Sequence, residues 1–162
     1  MTRMVSGAGL VLALVALAGC GGDPAYSESK ACGVDAGLVE AAVGTDTFTS
    51  SETRPLEPVG VDITSYACEA TVDDEKVLTL DARFREPGDV ELVRKQIEAG
   101  GDAAFEHGGG IGLVGDDGSN FVCGGVVLSL RTEEGASPED GALQALLEGV
   151  ADEAGCHERE AS

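Results

Sequence analysis

Tryptophan is absent from this chain, and aromatic side chains altogether are few: Phe48, Phe84, Phe105 and Phe121 with Tyr26 and Tyr66. A core must therefore be assembled mostly from Val, Leu, Ile and Ala, and a lean aliphatic core in a short chain calls for covalent support. Cations are scarce as well, with ten Lys and Arg against thirty Asp and Glu in 162 residues, a formal charge of −20. Such a surface repels phosphate backbones and gains nothing from counterion release, so nucleic acid is not an expected partner. Anionic lipid headgroups are repelled in the same way. The acids are scattered among apolar positions, the pattern of a solvated folded surface rather than of a disordered acidic tail. Histidine occurs twice, as His107 and His157, in neither C-x-x-C nor H-x-x-x-H company, so neither a zinc site nor a cofactor is expected.

Long apolar runs are missing too, with one exception. Met4 to Gly19 carries no charge, follows Arg3 closely, and has the length of a secretory signal rather than of a membrane span. It closes on Leu17-Ala18-Gly19-Cys20, which resembles the lipobox of bacterial lipoproteins. The resemblance implies that residues 1–19 are a signal peptide and that the Cys20 thiol receives a diacylglyceryl group. It implies also that a peptidase demanding small residues before the cut makes Cys20 the mature N-terminus. Two acyl chains hold where one gives marginal attachment, since each buried methylene contributes about 0.8 kcal/mol. The alternative is an ordinary secretory signal that happens to end near a cysteine. Cleavage would leave 162 − 19 = 143 residues and, without Arg3, a charge of 9 − 30 = −21. The lipid, not the surface, is then the expected contact with the extracytoplasmic face of the cell membrane.

With Cys20 assigned to the lipid, an even four cysteines remain: Cys32, Cys68, Cys123 and Cys156. Outside the cell an even number suggests disulfides, and four cysteines allow three connectivities. Cys32 precedes a helical pattern and Cys68 sits in a strand-like one, whereas Cys123 is in a strand-like run and Cys156 follows a helical one. The favoured pairing is Cys32 with Cys68 and Cys123 with Cys156, with the crossed pairings as alternatives.

Along the chain, residues 20–31 read as the lipidated cysteine and a small, polar, flexible tether, residues 32–156 as one α+β domain and residues 157–162 as a frayed tail. Helices are expected at 33–44, with Asp35 as N-cap and Gly44 as stop, at 87–100 with Asp89 as N-cap, and at 137–155 with Ser137 as N-cap and Pro138 in the first turn. A short strand fits 46–52. Strands fit 63–72 and 76–85, turning at Asp73-Asp74-Glu75, and the arms 111–114 and 121–131 flank the turn residues Asp117 and Gly118. In the second strand Val77, Thr79, Asp81 and Arg83 should face water, opposite Leu78, Leu80, Ala82 and Phe84. Strands joined by tight turns are antiparallel. The fold class is therefore α+β: a single small domain, mainly an antiparallel sheet of two hairpins, with about three helices packed on one face and two disulfides.

Several stretches imitate catalytic motifs. Gly110, Gly112 and Gly115 spell G-x-G-x-x-G, but Asp116, Asp117 and Gly118 follow where a dinucleotide fingerprint needs a helix to open. His107 to Gly110 spell the HGGG of lipase oxyanion loops, yet no G-x-S-x-G nucleophile elbow exists and Ser137 is better placed as a helix cap. Asp116, Asp117, Ser119 and Asn120 lack the spacing of a calcium loop, and Asp73, Asp74 and Glu75 read as a turn before they read as a glycosidase pair. His107 is expected at a surface turn. A glycine-rich strand and turn accounts best for residues 108–115. Tyr66-Ala67-Cys68 and Phe121-Val122-Cys123 echo one another, a hint of pseudo-repetition.

The lipobox, the polar tether, a cysteine before a short helix ending at Gly44 and a second cysteine in a strand, Cys68, together resemble the small secreted lipoproteins of actinobacteria that carry domains of unknown function. The resemblance covers Cys32 to Arg85 best and implies an extracellular binding or sensing module. The expected function is thus a membrane-anchored, non-catalytic module for an unknown ligand or protein partner, with a small extracytoplasmic hydrolase as the alternative. Ligand contact is expected on the open sheet face or at Gly108, Gly109, Gly110, Gly112 and Gly115.

Overall fold

A computed structural model of the chain describes residues 30–60, 64–116 and 118–156. The expected signal peptide, Cys20, most of the expected tether, Ile63, Asp117, His157 and the expected tail lie outside the described residues. The tether as read from sequence ends too late, because Lys30–Ala31 (β1) pairs with Val34–Asp35 (β2) in a tight hairpin. Its turn residues Cys32 and Gly33 take φ of 52° and 75°. Helix α1, Ala36–Val43, follows as the sequence demands: Asp35 Oδ1 accepts from the Gly37 N–H at 2.8 Å, and Gly44, with φ of 83°, closes the helix by donating to the Glu40 carbonyl.

The main sheet contains seven strands: β3 (Thr49–Glu52), β4 (Ser65–Val72), β5 (Glu75–Phe84), β6 (Ala104–His107), β7 (Gly110–Leu113), β8 (Ser119–Cys123) and β9 (Val126–Thr132). Every neighbouring pair is antiparallel, in the spatial order β3-β4-β5-β9-β8-β7-β6. After β5 the chain crosses through helix α2, Pro87–Glu98, to the far edge and meanders back, so that β9 closes on β5. Helix α3, Ala142–Glu153, comes last. The α+β class, the antiparallel sheet and the single small domain stand. The two hairpins do not: the run 121–131 is two strands folded at Gly124-Gly125, and β6 was not foreseen.

Alternate strand residues point to opposite faces. On one face the cross-strand row Tyr66, Ala82, Leu128, Phe121 and the next row Cys68, Leu80, Leu130 are buried beneath α1 and α3, which contribute Val39, Ala42, Leu146, Leu147 and Val150. Each fully buried aliphatic or aromatic side chain contributes about 1.5–3 kcal/mol. On the other face Val122 and Val127 meet Val90 and Ile97 of α2. The expectation that all helices pack on one face is therefore corrected: α1 and α3 take one side, α2 the other, and it covers only the β7–β8–β9 end.

Three local readings need correction for physical reasons. Ala70 pairs with Leu78 but Thr71 pairs with Lys76, so Val77 is an extra residue in β5, and this bulge buries it where strict alternation would leave it wet. Helix α2 is capped at Glu86 and not at Asp89, because Pro87 already supplies the first helical turn. Helix α3 is capped at Gly141 rather than at Ser137, since the N–H groups of Ser137 and Glu139 donate to the Val43 and Ala41 carbonyls, each at 3.0 Å. Those carbonyls end α1 and need donors. The turn at Asp73 and Asp74 is as read, both residues lying at positive φ, 52° and 66°.

Both favoured disulfides form. Cys32 pairs with Cys68 and Cys123 with Cys156, each with Cα atoms 5.5 Å apart. They join the β1–β2 turn to β4 and the end of β8 to the end of α3, and they place the chain in an oxidising, extracytoplasmic setting. No helix among the described residues is long and apolar enough to cross a membrane.

Tyr66 is 1% exposed, and its hydroxyl has no hydrogen-bond partner among the described residues. Burial, and secondarily the nearby Glu52 carboxylate, push its ionisation far above the ordinary 10.0. The unfolded phenol still ionises near pH 10, so the stability tied to the neutral folded form is complete below that pH and is lost as pH rises past it. Tyr66→Phe is expected to be neutral or mildly stabilising at pH 7, because no paired group is removed. Urea unfolding should give a widening advantage to the variant above pH 10, of about 1.4 kcal/mol per pH unit. Equal alkaline losses in both proteins would contradict this.

Candidate functional site

Because α2 covers only one end of its side of the sheet, the outer residues of β5 and the adjoining part of β9 remain open. Register places Thr79 opposite Arg131, Asp81 opposite Ser129, and Arg83 opposite Val127. Arg85, just past the end of β5, is held by its N–H donating to the Gly125 carbonyl at 2.8 Å. Together Asp81, Arg83, Arg85, Val127, Ser129 and Arg131 line a cleft of about 150 Å³. Val127 forms an apolar floor shared with the α2 cluster.

The charges in this cleft are unlike those of the rest of the molecule. Three of the chain's seven arginines meet there with one carboxylate, 3 − 1 = +2, in a chain of formal charge −20. Arg83 Nη2 donates to Asp81 Oδ1 at 2.9 Å, and Ser129 Oγ donates to Asn120 Oδ1 at 2.9 Å. Among the described residues, the guanidinium groups of Arg85 and Arg131 have no carboxylate partner. In so acidic a chain two unpaired guanidiniums lining one cleft, Arg131 from the Thr79 end and Arg85 from the Gly125 end, are not a statistical residue of composition, because nearby carboxylates would ordinarily neutralise them. Chemically the arrangement offers donors to an anion. It has no free general base, since its one carboxylate is committed to Arg83.

The glycine-rich segment is distributed over different structures. Gly108 and Gly109 make the β6–β7 turn with φ of 48° and 73°. Gly110 and Gly112 are strand residues, and a Cβ on either would run into an aromatic ring, that of Phe121 or of Phe105. Gly115 lies past β7, where its carbonyl accepts from Gly118 at 3.2 Å. A strand follows instead of a helix, so the dinucleotide spacing is coincidental. The strand-and-turn reading of residues 108–115 holds.

His107 ends β6 half-buried rather than standing free at a surface turn. Its Nε2 lies 2.8 Å from Asp152 Oδ1 on α3, and its ring meets the Phe121 edge with centroids 6.5 Å apart. Among the described residues no serine joins this pair, so the HGGG tetrapeptide does not build an oxyanion site. Ser119 and Asn120 point to opposite sheet faces, which breaks up the oxygen cluster suggested by DDGSN.

The alternation of β5 marks Asp81 and Arg83 as a wet strand face but does not by itself join Arg85, Ser129 and Arg131 to them. The signal was legible in part: D-x-R-x-R at 81–85 and S-x-R at 129–131 both alternate arginine with apolar residues. What was missing was the β5–β9 pairing, which joins residues about fifty positions apart. In comparisons with known proteins, no family model matches this chain, and no curated protein or solved structure is significantly similar to it.

Proposed function

We propose that this protein is a lipid-anchored, extracytoplasmic lipoprotein of the small actinobacterial kind that works as a non-catalytic binding or interaction module, meeting its ligand or partner on the open half of the sheet. The observation that carries the reading is the open face itself, with a cationic cleft set in a strongly acidic molecule and without a free acid or base for catalysis. Cys20, after Leu17-Ala18-Gly19, supports the anchor, and the two disulfides agree with a place outside the cytoplasm. A small hydrolase would have to use His107 and Asp152, a pair without a nucleophile among the described residues.

Membrane fractionation of cells carrying Cys20→Ala tests the anchor. The variant should accumulate as unprocessed precursor or be released, and the wild-type N-terminal peptide should gain the mass of a diacylglyceryl group. Undiminished, processed protein in the membrane fraction of Cys20→Ala cells would overturn the proposal.

A further inference from the structure

Building on that reading of the open face, we infer that the cleft between β5 and β9 is a binding site for a small, free oxyanion of one or two negative charges, held by Arg85 and Arg131. Guanidinium is planar and always charged, and its N–H groups match the two oxygens of a carboxylate or two oxygens of a phosphate or sulfate group. Arg83 does not compete for the same role, because Asp81 occupies it at 2.9 Å. It is fixed as a wall, and its partner Asp81 lowers the local charge to +2, which sets the ligand charge at one or two. Ser129, directly across from Asp81, lines the same cleft with its hydroxyl already donating to Asn120 Oδ1, so the donors left for an anion are the guanidiniums, and the buried Val127 seals the floor against a deeper ligand.

Size and field both select for a compact ligand. The volume of about 150 Å³ is below the roughly 300–1,000 Å³ of pockets that enclose drug-sized molecules. A single anionic group with a short stem fits. The long-range field of a chain at −20 opposes any polymer or surface bearing many negative charges, whereas a small anion is screened within about 8 Å at physiological ionic strength and feels mainly the local guanidiniums. A free anion is therefore favoured over an anionic lipid surface or polyanion, although the same oxygen atoms would be offered by each.

The test is a titration of the full chain in neutral detergent at constant ionic strength, following the side-chain Nε–Hε NMR signals of its arginines. Inorganic phosphate and acetate are the two probes. Both should give saturable shifts at Arg85 and Arg131, on the order of millimolar for so exposed a site. Arg85→Gln and Arg131→Gln should each weaken saturation about tenfold, as loss of one charge-assisted fork predicts. Arg54→Gln, outside the cleft, should leave it unchanged. Saturable phosphate shifts at the Nε–Hε of Arg83, which lines the same cleft, that survive the double substitution Arg85→Gln/Arg131→Gln would overturn the assignment, as would shifts that rise linearly and equally at Arg54. Polyphosphate binding more tightly than phosphate, per phosphate group, would overturn the preference for a free compact anion. The titration reads the cleft wherever the chain resides, so its failure removes the ligand class alone, whereas membrane retention of Cys20→Ala protein removes the anchoring proposal alone.

Discussion

Replacing Cys123 and Cys156 together by alanine is expected to cost about 4 kcal/mol of stability, and adding the Cys32→Ala/Cys68→Ala pair is expected to leave the domain largely unfolded at 37 °C. The bonds close sequence separations of 33 and 36 residues, and loop-closure entropy for about 35 residues amounts to about 4 kcal/mol each. Small domains rest on a margin of about 5–15 kcal/mol, so one bond is a large fraction of the total and two approach all of it. The aliphatic core cannot compensate, having few large aromatic side chains to bury. Pairwise alanine substitution avoids leaving a free thiol in a site where all four sulfur-bearing residues are at most 1% exposed.

The two bonds should also fail differently. Cys156 follows α3 closely, and the neighbouring Ala154 carbonyl accepts from the N–H of the buried Val59 at 3.3 Å, so release of this end loosens the chain at Val59 as well as the helix. Cys32 instead pins the small β1–β2 hairpin to the interior of β4. Urea unfolding with and without reductant measures the totals, and hydrogen exchange locates the losses. A midpoint unchanged by reduction would refute the structural weight given to these bonds.

Legibility in the sequence followed the range of the forces involved. Asp35 and Gly44 were readable because a cap acts over two to four residues, and helix-end and strand positions favoured the disulfide pairing between sequence neighbours without excluding the crossed ones. Ser137 misled because its N–H and that of Glu139 serve the carbonyls of α1, nearly a hundred positions away. Val77 misled because a bulge depends on the partner strand. The cleft was only half visible for the same reason: Arg83 and Arg85 announce an exposed strand face on their own, but Arg131 joins them solely through the β5–β9 register. Gly124-Gly125, by contrast, was a local turn signal that went unused inside an apparently continuous strand.

Gly112→Val is expected to destabilise the protein by about 3 kcal/mol or more, the upper range of overpacking. Gly112 is paired to Phe105 on one side and Phe121 on the other, and the two rings meet over its bare backbone with centroids 5.8 Å apart. A Cβ there would lie against both rings, 2.8 Å from Phe121 Cδ2 and closer still to Phe105. The fully buried Phe121 ring has nowhere to go, while Phe105, at the edge strand, is only partly buried. Glycine here is thus the counterpart of the aromatic pair, which supplies the core volume that the strand omits. The physical test is a double-mutant cycle of Gly112→Ala with Phe105→Leu. The smaller, flexible leucine gives the methyl group room, so the double variant should lose less stability than the sum of the single ones, by at least about 1 kcal/mol. Strict additivity would mean that the glycine is not there to accommodate the rings. Because β6 is the sheet edge, hydrogen exchange should place the damage of Gly112→Val first in β6 and β7, with β4 and β5 protected until global unfolding.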